Sequence, residues 1–148
     1  MIMSWELKKF DALTNGELYD VLRLRVDIFV VEQTCPYPEI DGKDPKSLHL
    51  MYKENGSIVA YARILPPGLS FDEASIGRII VAKSHRGTGL GHELLDQAIK
   101  ASLAEYNQPI KIGAQAYLEK YYEAAGFVTV SDVYLEDDIP HIDMLRSL

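Results

Sequence analysis

The stretch "KSHRGTGLGHELLDQAI" (Lys83–Ile99) sets two basic residues and then three glycines within five positions directly before an amphipathic run. Leu90, Leu94, Leu95, Ala98 and Ile99 recur at helical spacing, so a helix is expected to begin at the last of these glycines. The preceding "ASIGRIIVA" (Ala74–Ala82) is a β-branched run that reads as a strand. Glycines between a strand and a helix let backbone N–H groups converge on an anion with no Cβ in the way. The helix N-terminus adds partial positive charge, which favours phosphate or diphosphate. His85 and Arg86 supply side-chain donors at the rim. The plainer reading is a turn that uses glycine only for sharpness. Three glycines at a helix start lower helix propensity, however, and a ligand site would offset that cost.

Two common phosphate motifs fail here. Counted from Gly87, the sixth position of a dinucleotide fingerprint would be glycine, and it is His92. A P-loop needs Gly-Lys-Ser/Thr, and no lysine follows any of these glycines. What remains is Arg86-Gly87-Thr88-Gly89-Leu90-Gly91 after a strand ending Ile79-Ile80-Val81.

That arrangement resembles motif A of the GNAT N-acetyltransferases, Arg/Gln-x-x-Gly-x-Gly/Ala opening a helix. The resemblance implies that Ile79, Ile80 and Val81 lie on a strand splayed from its parallel neighbour, with Val81 and Ile79 meeting the pantetheine arm of acetyl-CoA. It implies that Arg86, Gly87, Thr88, Gly89, Leu90 and Gly91 hold the diphosphate. Downstream, "YYEAAGF" (Tyr121–Phe127) resembles the family's motif B, and Tyr122 falls on its general-acid tyrosine. A departing thiolate, with an ordinary pKa near 8.5, benefits from a proton donor. Helical spacing also puts Leu118, Tyr122 and Ala125 on one face, so core packing is the competing reading of Tyr122, and Tyr121 is the fallback acid.

Five further segments narrow the resemblance to the ElaA-like subfamily: "RLRVDIFVVEQTCPYPEIDG" (Arg23–Gly42), "VAYARIL" (Val59–Leu65), "IGRIIV" (Ile76–Val81), "GAQAYLEKYYEAAGF" (Gly113–Phe127) and "YLEDDIPHIDM" (Tyr134–Met144). The implied activity is acetyl transfer from acetyl-CoA to an amine of a small molecule or peptide. A non-catalytic acyl-CoA-binding module is the alternative, and acyl-homoserine-lactone synthesis a further enzymatic one. Many proteins of the resembled family are dimers, so a homodimer is carried as an expectation. The strand "IGRIIV" has no carboxylate where several such enzymes place a base.

On the acceptor side, Arg25 interrupts the apolar stripe Leu18, Leu22, Phe29, and Glu32 returns to its side of the helix seven residues later. The pair reads either as a structural ion pair or as an acceptor pocket, Arg25 holding a carboxylate and Glu32 an ammonium. His141, two residues before Asp143, titrates in the range a proton acceptor needs, or is a structural histidine. Arg63 and Arg78 on neighbouring strands could contact substrate, Glu39 and Asp41 could flank a cationic acceptor, and Cys35 is by default a free thiol. The histidines and acids lack ligand spacing such as His-Glu-x-x-His, so no metal is expected.

The bulk properties agree with this class. The chain has 148 residues, 47% hydrophobic and 25% charged, as in an ordinary folded domain. A formal net charge of -7 argues against nucleic-acid binding and favours cationic partners. One cysteine excludes an internal disulfide, the first ten residues lack the apolar core of a signal peptide, and no apolar run suits a membrane span. A cytoplasmic protein is expected. No linker or repeat divides the sequence, so residues 1–148 read as one domain.

The remaining pattern predicts a strand at "WELKKF" (Trp5–Phe10), a helix opened by a Thr14/Glu17 capping box, and a proline-rich acidic loop over Thr34–Pro45. A hairpin follows over Leu48–Leu65 with Asn55-Gly56 at its turn, then a loop at 66–73. Ile110–Ala114 reads as a strand, Gln115–Gly126 as a helix, and the C-terminal segments as strands. Together these predict an α/β (α+β) fold: a mixed, mostly antiparallel twisted sheet, with a splayed parallel strand pair, flanked by helices.

Overall fold

The computed structural model describes residues 2–148. Eight strands and three helices follow the predicted order: β1 (Met3–Lys9), α1 (Asn15–Arg25), β2 (Leu48–Glu54), β3 (Ser57–Leu65), β4 (Ser75–Val81), α2 (Leu90–Tyr106), β5 (Ile110–Gln115), α3 (Glu119–Glu123), β6 (Val128–Thr129), β7 (Tyr134–Glu136) and β8 (Ile139–Arg146). Strands β1-β2-β3-β4 form one antiparallel sheet; β5-β8-β6 form a second, with β7 also on β8.

The two sheets meet through a single parallel bridge, Ala74 with Ile110, where the Lys111 N–H donates to the Ala74 carbonyl at 2.9 Å. Beyond that rung β4 and β5 diverge. The divergence is the splayed pair, and it leaves a wedge between the strands.

Alternation along the strands divides the core. Leu50, Ala60, Ala62, Ile64 and Ile76 face α2, which buries Leu90, Leu94, Leu95, Ala98 and Ile99 as its spacing predicts. Met51, Tyr61 and Ile80 face the other way and meet Val21, with Leu24, Ile28 and Phe29 packed alongside. The Asn55-Gly56 turn has φ of 51° and 82°, the left-handed values that a primed hairpin turn requires.

The α1 capping box is present in full: the Glu17 N–H donates to Thr14 Oγ1 at 3.0 Å, and the Thr14 N–H to Glu17 Oε1 at 2.9 Å. The buried face differs from the predicted Leu18/Leu22 stripe. It runs Glu17, Val21, Arg25, because each of the two charged residues is matched by charge from outside the helix.

Burial alone would raise the Glu17 pKa, but hydrogen bonds from Lys53, the Thr14 N–H and Lys8 outweigh it and lower the value to about 2 from 4.5. A depressed carboxylate stabilises the fold above its unfolded pKa and loses that contribution as pH falls. Acid titration of unfolding free energy should therefore decline between 4.5 and about 2, and Glu17→Gln should flatten that limb.

Two elements depart from expectation. Gln115 pairs with His141 on β8, so the strand claims it, and the expected helix is reduced to a 3-10 turn, Ala116–Leu118, followed by the five residues of α3. After Arg25 the helix widens into a π-helical segment, Val26–Glu32, with Gln33 N–H donating to the Ile28 carbonyl and Cys35 N–H to the Val30 carbonyl. Such i→i+5 winding is rare and changes the angular phase of every side chain after it.

Candidate active site

The wedge between β4 and β5 opens into a cavity of about 410 Å³. Its floor is Ile76–Val81 and Ile112–Gln115; the π-helical turn and the Cys35–Tyr37 loop cover one side, and the β7–β8 turn with Tyr122 and His141 covers the other.

On β4 the ladder slips opposite Ala62: Tyr61 pairs with Ile80 but Arg63 with Gly77, and Arg78 takes φ of 51°. This is a β-bulge, which re-aims the backbone beyond it. The Ala82 N–H donates to the Val59 carbonyl at 2.8 Å. By alternation the backbone of Ile80 faces β3, while that of Val81 and Ile79 faces the wedge.

Gly87 and Gly89 adopt φ of 76° and 86°, and a Cβ at either would meet open space rather than protein. Among the described residues no acceptor receives the N–H groups of Gly87 to His92; the first helical bond of α2 is Glu93 N–H to the Gly89 carbonyl. Open donors at the N-terminus of a seventeen-residue helix are the kind of arrangement that suits an anion. Arg86 beside it donates from Nε to the Val81 carbonyl at 3.1 Å and lies 3.0 Å from Glu32 across the wedge mouth.

Tyr122 is 8% exposed and lines the cavity, held edge-on between Tyr121 and Phe127. Its hydroxyl has no hydrogen-bond partner among the described residues, and burial raises its pKa, so the phenol keeps its proton. Tyr121 is spent differently. Its hydroxyl donates to the Gly91 carbonyl at 2.6 Å, tying α3 to the glycine loop. His141 also lines the cavity; Nδ1 donates to the Ile139 carbonyl at 2.7 Å, and Nε2 lies 3.5 Å from Glu136 Oε2.

The Arg25–Glu32 pairing does not form. The π-helical turn carries Glu32 to Arg86, and Arg25 is fully buried, with Nε 2.7 Å from Glu39 and Nη1 2.6 Å from Asp44. Arg63 is 3% exposed and paired with Asp41 and Asp44, and neither Arg25 nor Arg63 reaches the cavity wall. Their expected contact with substrate is thus corrected to a structural role. Arg78 does reach the cavity, but Glu39 at 2.7 Å and Asp41 at 3.3 Å hold it, with its guanidinium over Tyr37. Three arginines thereby clamp the acidic loop Glu39–Asp44 to β3 and β4. Asp41 and Asp44 are held well below the usual carboxylate range by these guanidiniums, against the opposing effect of burial.

Sequence reasoning missed Tyr37, Glu136 and Asp137 as cavity residues, since each lies in a loop or turn whose path only the fold fixes. The adjacent Asp137 and Asp138, both at left-handed φ with no glycine, were the available signal. Among the described residues no group of three or more His, Cys, Asp and Glu could hold a metal ion, and no helix is long and apolar enough to cross a membrane.

Comparison with known proteins agrees with this geometry. The family described as Acetyltransferase (GNAT) domain matches residues 25–148. Protein ElaA of Escherichia coli is 38% identical over 99% of this chain and 98% of its own, and its crystal structure superposes with a TM-score of 0.92. The crystal structure of an acyl-CoA N-acyltransferase from Pseudomonas aeruginosa is 44% identical, with a TM-score of 0.94 over 99% of this chain and all of the other. A UPF0039 protein of Schizosaccharomyces pombe is 42% identical over 95% of each chain. A strand wedge, a glycine loop and a full-length likeness to ElaA place the chain within the GNAT acetyltransferase family, among its ElaA-like members.

Proposed function

We propose that the protein transfers an acetyl group from acetyl-CoA to a primary amine by direct attack. Membership of the family carries acyl-CoA-dependent acyl transfer; the acetyl group, the amine and the residue roles are our reading. One observation supports it most. The outward edge of β4 and a partnerless, largely buried phenol line one wedge, and the unpartnered amides of the glycine loop follow directly on Arg86 at its rim.

The donor fits these residues: a diphosphate suits the N–H groups of Gly87 to His92, and amide groups of an extended arm suit the free edge at Ile79 and Val81. Bound there, acetyl-CoA supplies the activated thioester. The β4 amides near Ile79–Val81 polarise its carbonyl. His141 Nε2 accepts a proton from the amine as the C–N bond forms, and Tyr122 gives one to the sulfur as the C–S bond breaks. Arg86 must leave the Val81 carbonyl for the edge to be fully available.

The test is coenzyme A release with acetyl-CoA across an amine panel, alongside calorimetric binding of acetyl-CoA. Gly89→Ala would put a Cβ into the open space where the diphosphate is placed by this reading, and should weaken acetyl-CoA binding about tenfold. Tight binding with no turnover on any amine would leave a binding module in place of an enzyme.

A further inference from the structure

The polar groups of the acceptor side carry a charge bias that specifies more than "an amine". We infer that the acceptor is a small aliphatic diamine or polyamine, one nitrogen placed at His141 and Tyr122 and a second, charged nitrogen held by Glu136 and Asp137. The inference rests on the acyltransferase reading above.

Two side chains, each 8% exposed, point to a ligand on this wall: Tyr122, whose hydroxyl is partnerless, and His141, whose Nε2 has only Glu136 at 3.5 Å. Beside them the β7–β8 turn places Glu136 and Asp137 on the cavity wall. Asp137 has no hydrogen-bond or ion-pair partner for its carboxylate among the described residues, and Glu136 has only the histidine. The turn is fixed against the opposite wall, where Cys35 Sγ donates to the Asp137 carbonyl at 3.6 Å.

The cations of the cavity are already committed. Arg78 is neutralised by Glu39 and Asp41, and Arg86 by Glu32. An acceptor bearing a carboxylate would therefore meet the Glu136 and Asp137 carboxylates and no uncommitted arginine, whereas a second ammonium would meet two carboxylates. Ile28, Phe29, Ile112 and Ile139 also line the cavity, an apolar surface that suits a methylene chain. In the reaction one amine nitrogen loses a proton and gains the acetyl carbon while the other remains charged and bound.

The experiment compares kcat/KM for cadaverine, pentylamine and ε-aminocaproate, which present an ammonium, a methyl and a carboxylate at similar reach. Cadaverine should exceed pentylamine about tenfold, and ε-aminocaproate should be slowest. Asp137→Asn keeps a residue that tolerates left-handed φ; combined with Glu136→Gln, it should bring the cadaverine-to-pentylamine ratio towards one. Raising ionic strength on the unmodified protein should shrink the same ratio, because partly exposed charges are screened, which guards against a misfolded variant. Equal rates for cadaverine and pentylamine, or a preference for ε-aminocaproate, would overturn the diamine assignment with acyl transfer intact. Failure of every amine despite acetyl-CoA binding would instead overturn the catalytic reading beneath it.

Discussion

Tyr122→Phe should lower kcat about a hundredfold or more, as loss of a general acid does, while leaving the acetyl-CoA dissociation constant unchanged. The ring is held by edge contacts to Tyr121 and Phe127, at centroid distances of 4.9 and 5.9 Å, and phenylalanine preserves both. Only the hydroxyl is lost, and no described residue depends on it. Stability should thus be unaffected, which separates the chemical role from packing. Steady-state kinetics with calorimetry of donor binding checks this; an unchanged kcat would remove Tyr122 from the proton path. Tyr121 does not substitute, because its hydroxyl donates to the Gly91 carbonyl and the residue lies off the cavity wall.

Arg25→Met should be the most damaging single change to the fold, at about 3–5 kcal/mol, the usual cost of removing one partner from a buried ion cluster. Glu39 and Asp44, 4% and 5% exposed, would each lose one of two guanidinium partners, leaving three buried or half-buried acids to share Arg63 and Arg78. Arg25→Lys should not restore stability, since a single ammonium cannot reproduce the guanidinium fork that spans two carboxylates and the Glu39 carbonyl. Urea denaturation midpoints would measure both. Arg86→Ala, breaking a pair about 40% exposed on each side, is the contrast: exposed pairs contribute about 1 kcal/mol or less. A loss for Arg25→Met no larger than that would show the cluster to be dispensable.

These two residues illustrate what the linear pattern reveals. The conformation of the glycine loop is legible in consecutive residues, because φ of 76° and 86° at Gly87 and Gly89 follows from residue type. The helical face of α2 and the Asn55-Gly56 hairpin were legible for the same local reason. Arg25 was visible as an anomaly, but its partners lie fourteen and nineteen positions away in a loop with no periodicity. A phase of 3.6 residues per turn puts Glu32 beside Arg25, and nothing in Val26–Glu32 announces the wider π-helical winding that turns it to Arg86. Gln115 was assigned to a helix because its pairing with His141 is decided by a strand twenty-six residues later.

The lone rung between Ala74 and Ile110 also bears on the mechanics of the free protein. Above that rung the N-terminal and C-terminal parts of the β-structure are held by the shared core with α2 and not by strand pairing. A molecule laid along the open edge becomes mortar between them. A donor that binds only the folded chain would then raise its unfolding midpoint as its concentration rises.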